Sequence, residues 1–273
     1  MGDLARLGRA ELEAMAAAGE EALDCHRVLA KSGDGFLGEV LHGAAASGDW
    51  THYPPGDVYD PVTHAQYFYH THPPAERRPR EEGHFHTFLR PRGMAPGTRP
   101  LVLPELAIAD APAAPADPAT PPAPQPNQGA DNDEPSHLIA IAMDGNGNPV
   151  RLFTTNRWVT GETWYAAADV MAMLDRFVID LARPSWPLNR WLGALFRLFK
   201  PQMRALIQDR DDAVMSWRRR HRGKVHVFED RRLDVTSALD IDVEEQIRDI
   251  GLALSGSKGQ APGRPSYFLA PGS

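Results

Sequence analysis

The chain has 273 residues and a formal net charge of −7, with 42% apolar and 24% charged residues, so it can fill a sizeable core while its surface as a whole repels nucleic acid. A lone cysteine, Cys25, excludes an internal disulfide framework and a cysteine-built zinc site. No uncharged apolar run reaches the roughly 18 residues of a membrane span, and acids interrupt the N-terminal apolar positions as they do not in a signal peptide, which makes a cytoplasmic protein the expectation.

In chain order, an Ala-rich helix is predicted over 9–31, with Gly33 at its C-terminal cap, followed by a short helix capped by Asp34. From Trp50 to Arg92 no helical period fits; 65–72 and 84–90 read as strands, while 50–60 is too polar and proline-rich for a regular element. The segment 110–135 carries prolines but no aromatic or branched aliphatic residue, so it is expected to be a disordered insertion. Beyond it, 137–144 and 150–158 flank the run Asp144-Gly145-Asn146-Gly147-Asn148, a hairpin signal. A helix is predicted from about Thr163, with Ala167, Val170, Leu174, Phe177 and Leu181 on one face, ended by Pro184. Pro187 and Pro201 suit the first turns of two more helices, the second closed by Gly223. Short strands at 225–228 and 233–241 and a final helix capped by Asp242 and Glu245 complete the pattern, before a mobile tail at 255–273.

The functional signal lies in the histidines. Seven of the 11 fall between His42 and His86, and two His-x-His pairs stand out, His70-Thr71-His72 and His84-Phe85-His86. On a strand, residues i and i+2 share a face, so each pair sends two imidazoles the same way, and neighbouring antiparallel strands can join all four around one space. Phe68 and Phe88 share that parity and supply aromatic walls. His70, His72, His84 and His86 are therefore candidate metal ligands, with His64 next; Asp57 and Tyr67 are candidate proton carriers, and His52 and Asp60 lie close by in sequence. Nitrogen-rich ligation favours a divalent transition metal, zinc or iron first, over magnesium or calcium. The spacing His70-x-His72-x3-Glu76-x6-Gly83 also matches the first metal motif of the cupins, although His64 stands where a cupin has glycine and Pro73-Pro74 interrupts the strand.

Other features read as structural. Arg77, Arg78 and Arg80 fit a solvated hairpin connection, with an anion-recruiting lid as the alternative. The basic run from Arg218 to Lys224 suits a helix C-terminus, and no stacking platform accompanies it to indicate nucleic-acid binding. No nucleophile elbow, phosphate loop or dinucleotide fingerprint is present.

The strings HYPPGDVYDPVTHAQYFYH, EEGHFHTFLRP and LFTTNRWVTGETWYAAADV, followed by RLFKPQM, resemble an uncharacterised bacterial domain-of-unknown-function family over roughly 20–250, skipping the insertion. The resemblance implies one domain interrupted by a variable loop and carries no activity with it.

The reading is one α+β domain over 3–254: N-terminal helices, an antiparallel sheet and a C-terminal helical layer, interrupted by the proline-rich loop. Its leading function is transition-metal binding, in a hydrolase or oxygenase acting on an unidentified small molecule. The alternative is a metal-free scaffold that binds a protein partner through its histidine- and aromatic-rich face.

Overall fold

Apolar residues at every third or fourth position wind 23 residues into helix α1 (Arg9–Lys31), the span read from the sequence, and bury Met15, Ala18, Ala22, Cys25 and Leu29. Just beyond it Gly33 takes φ +73°, the left-handed cap conformation, and Asp34 Oδ1 accepts a hydrogen bond from Gly35 N ahead of α2 (Phe36–Leu41). This is a computed structural model; it describes residues 4–41, 50–101, 103, 133–221 and 225–256.

Among the described residues six strands form one antiparallel sheet in sequence order: β1 (Tyr53–Tyr59), β2 (Ala65–Thr71), β3 (Gly83–Leu89), β4 (Ser136–Met143), β5 (Pro149–Thr155) and, after four helices, β6 (Val235–Asp240). Those helices are α3 (Arg157–Thr160), α4 (Ala167–Met173), α5 (Trp186–Leu198) and α6 (Lys200–Arg220); α7 (Val243–Ser255) follows β6. The protein is thus α+β. Strands from both sides of the proline-rich segment share the sheet, because β3 pairs directly with β4. Among the described residues no helix is long and apolar enough to cross a membrane.

The sheet has two dissimilar faces. Tyr67 and Tyr69 of β2, Phe85 and Leu89 of β3, and Ile139, Ile141 and Met143 of β4 join one buried cluster with Phe36, Leu188, Trp191, Leu192 and Leu195 of the helices. Trp191 anchors this layer, stacked on Phe36 at 4.0 Å and packed against Phe85 at 6.2 Å. Fully burying each such side chain contributes roughly 1.5–3 kcal/mol. Helices α1 and α7 approach closely at Gly19, where a Cβ would stand 2.6 Å from Ile247 Cγ1.

Three expectations are corrected. The stretch 50–60 contains a regular strand after all: β1 is an edge strand, where prolines are tolerated, and a register shift between Tyr53 and Val58 absorbs the turn at Gly56 and Asp57 (φ +83° and +58°). The helix predicted from Thr163 to Leu181 is reduced to α4. Before it, Thr163 N donates to Pro135 O and Trp164 O accepts from Leu101 N; after it, Phe177 and Ile179 are buried while Val178 and Asp180 are exposed, an extended alternation held where Asp180 N donates to Asp60 Oδ2. The strand predicted at 225–228 is instead a 3-10 turn (Val227–Glu229) whose Phe228 packs on Trp164 at 4.7 Å. Pro187, Pro201 and the Asp242 cap all take their predicted places, Asp242 Oδ1 accepting from Glu245 N at 2.8 Å. The insertion at 110–135 (apart from its last three residues), Gly223, the end of the basic run and nearly all of the tail lie outside the described residues.

Candidate metal centre

Strand periodicity places the histidines. In the β2–β3 ladder His70 lies opposite His84 and Phe68 opposite His86, so His70, His84 and His86 project from the same face, away from the helices. Gly83 permits this pairing: a Cβ there would sit 2.4 Å from the His70 carbonyl oxygen and 2.5 Å from the Tyr69 hydroxyl. His72 stands one residue past β2, where its carbonyl accepts a 2.6 Å hydrogen bond from Arg77 Nε. Arg77 is in turn paired with Glu82 at 2.7 Å, which folds the connecting loop back on the site.

Three nitrogens converge. His70 Nε2 is 2.7 Å from His84 Nε2 and 3.3 Å from His72 Nε2, and one ligand atom from each of the three lies within 4.8 Å of the others. Nitrogens bound to one tetrahedral ion at 2.0–2.1 Å are separated by about 3.3 Å. The His70–His72 spacing already equals that edge, and the His70–His84 spacing needs to open by only about 0.6 Å to match it.

Electrostatics favours the ligand form of these rings. Burial, with His72 and His52 nearby, pulls the His70 pKa down to about 3. Burial and the adjoining imidazoles hold His84 and His86 well below their ordinary value, with Arg151 adding to the effect on His84. All three are neutral near pH 7, and a neutral imidazole offers one nitrogen lone pair. Two Nε2 atoms at 2.7 Å must share a single proton, one donating and one accepting; a cation among them is an alternative partner for both lone pairs.

Around the trio the other imidazoles are oriented by hydrogen bonds. His52 stacks on Phe68 at 3.6 Å, its ring centroid 6.0 Å from that of His70, and its Nδ1 lies 3.0 Å from Asp57 Oδ1. Asp57 Oδ2 accepts from Gln66 Nε2, and Gln66 Oε1 accepts from Arg90 Nε. His86 has its ring centroid 4.7 Å from that of His84, but its Nδ1 is engaged by His137 Nε2 at 3.0 Å. His137 donates its backbone N–H to Glu162 Oε2 at 2.6 Å, and burial pushes the Glu162 carboxyl up to about 8. Half-exposed Trp50 walls the outer side, 4.1 Å from His72 and edge-on to His70 at 5.9 Å.

The sequence candidates therefore separate. His70, His72 and His84 come together, with His86 beside them. His64 does not join the trio: it lies six residues before His70, about 20 Å along an extended strand, in left-handed backbone (φ +63°), and shares a 2.6 Å hydrogen bond with the Tyr59 hydroxyl. Tyr67 is on the wrong face. Its odd parity turns it into the helical core, where its hydroxyl donates to Asn189 Oδ1 at 2.6 Å and burial raises its pKa. Asp57 reaches the site only through His52. Asp60 caps the turn before β2, accepting from Val62, Thr63 and Asp180 N–H groups. Glu76, the carboxylate of the cupin-like spacing, is exposed in a 3-10 turn outside the trio.

Sequence reasoning missed two residues of this face. His137 has no i+2 partner, so no spacing marks it; the register shift between His86 and Phe88 sets it opposite Phe88. Arg151 reads as an ordinary polar residue on a hairpin strand, yet it is buried, with Nη1 donating to Glu81 at 2.8 Å.

No curated protein and no solved structure matches the chain. A family model does match, over residues 16–241, a span that takes in all six strands and every imidazole described above. The chain belongs to that family, a domain of unknown function, DUF6969.

Proposed function

We propose that His70, His72 and His84 bind one divalent transition metal, zinc or iron, as a three-imidazole centre with an open coordination position. The observation that carries this reading is the convergence of their nitrogens, at 2.7 and 3.3 Å, in a spacing close to a tetrahedral edge. A closed structural site would take a fourth protein ligand, whereas a three-ligand centre leaves a place for water or another reactant. Such an ion supplies Lewis acidity, or redox chemistry if it is iron, so hydrolase and oxygenase activities both fit.

The chain's own residues then have definable roles. His52, oriented through Nδ1 by Asp57, can accept a proton at Nε2 beside the trio. Phe68, Phe88 and Phe153 exclude water from the imidazole face. His86 and His137 pack behind His84 and fix its ring.

Metal analysis of protein purified without a histidine tag tests the proposal. About one zinc or iron per chain is expected, falling sharply in His70→Ala and His84→Ala. A content below about 0.2 ions per chain, with no binding on titration, would overturn it.

A further inference from the structure

A buried cation stands beside the imidazole trio. Arg151 of β5 pairs with Ala142 of β4, which pairs with His84 of β3, so the three stand in one row across the sheet. The methyl group of Ala142 leaves little bulk between the guanidinium and the imidazole. Phe153 packs against both, with the Arg151 guanidinium carbon 4.9 Å and the His84 ring 5.1 Å from its centroid.

Arg151 is only half satisfied. Its side chain is 5% exposed; Nη1 donates to Glu81, but Nη2 is buried and has no hydrogen-bond partner among the described residues. An orphaned buried guanidinium N–H carries a desolvation penalty that an acceptor from a ligand would relieve. The same end of the sheet borders an open cleft of about 400 Å³ between Arg80–Glu82 and Asp144–Asn146. Glu81 belongs to both features: it lines the cleft and holds Arg151.

Charge completes the picture. Three neutral imidazoles leave the charge of a bound divalent ion unbalanced, and Glu81 balances only Arg151. On the metal-binding reading above, we infer that the centre takes a small oxyanion, one oxygen directed to the open position at His70, His72 and His84 and another accepting from Arg151 Nη2. A planar guanidinium suits both carboxylate and phosphoryl oxygens in this role. Glu81 acts as the resident carboxylate with which the ligand competes for Arg151.

The test uses the full chain loaded with cobalt(II), whose visible spectrum reports a new ligand, titrated separately with acetate and with inorganic phosphate. Whichever anion saturates at lower concentration assigns the ligand as carboxylate or phosphoryl. Arg151→Met is expected to keep the cobalt stoichiometry and weaken that anion at least about tenfold. Glu81→Gln is expected to tighten it severalfold by releasing the guanidinium. If Arg151→Met fails to fold, Glu81→Gln decides alone, an unchanged affinity overturning the inference. Equal affinity in all three chains, or no anion binding to a wild-type chain that holds cobalt, overturns the inference and leaves the metal centre standing. A wild-type chain that takes up no cobalt overturns the metal reading itself.

Discussion

His70 and His84 face each other directly across the β2–β3 ladder, Nε2 to Nε2 at 2.7 Å, inside a sheet face lined by imidazoles and phenyl rings. One shared proton holds that contact together. Replacing it with a cation changes the energetics of the whole fold, because a ligand that binds only the native state stabilises it by mass action.

Zinc at one hundred times its dissociation constant should therefore add about 2.7 kcal/mol of stability, which for a chain of this size is a rise in Tm of roughly 5–10 °C. A chelator should reverse the rise, and His70→Ala should abolish it. Scanning calorimetry with and without zinc makes the comparison; an unchanged Tm in the wild-type chain would count against the centre.

Gly83→Ala should damage both stability and metal affinity. The new methyl group would lie 2.4 Å from the His70 carbonyl, which is backbone and cannot swing aside. Overpacking of this kind costs about 1–3 kcal/mol and displaces the strand pairing that aligns His70 with His84. Gly145→Ala is the control, since nothing lies within 4 Å of a Cβ at that position. Urea midpoints and zinc titrations of the two variants should diverge clearly.

Tyr67→Phe separates the two faces. It strands Asn189 Oδ1 without its 2.6 Å donor in the buried helical layer and should cost about 1–3 kcal/mol in urea unfolding. Metal content should stay at the wild-type level because the ring packing is kept and the hydroxyl points away from the imidazoles. Loss of metal in this variant would return Tyr67 to the site.

Glu162→Gln should alter the pH dependence of stability. Burial raises the carboxyl from 4.5 to about 8, so between those values the native chain keeps a proton that the unfolded chain has lost. Native stability therefore declines as pH rises through that window, by an amount on the order of a few kcal/mol. Glutamine cannot ionise, and its advantage over the wild type should grow from pH 5 to pH 8. Parallel pH profiles for the two chains in chemical denaturation would contradict this assignment.

Much of the architecture was legible because it depends on local rules. The caps at Gly33 and Asp242, the prolines opening α5 and α6, and the parity of His70, His84 and His86 each follow from a few neighbouring residues. What escaped the sequence depends on distant partners. Pro54-Pro55-Gly56 reads as a loop until β2 offers the ladder that makes β1 an edge strand. Phe177 and Leu181 mimic one helical face, yet the segment is drawn out straight by Asp60, 120 residues away. His137 and Arg151 become neighbours of the trio only through the registers of β3 with β4 and of β4 with β5.

Strands β3 and β4 are adjacent in space and distant in sequence, so the imidazole face is closed along a single seam. The trio belongs wholly to the β2–β3 hairpin on one side of it, and Arg151 to the β4–β5 hairpin on the other. Hairpins form early because their contacts are local, and long-range pairing comes later. A chain with the seam still open would bring its three nitrogens together but lack the guanidinium that the finished sheet sets beside them.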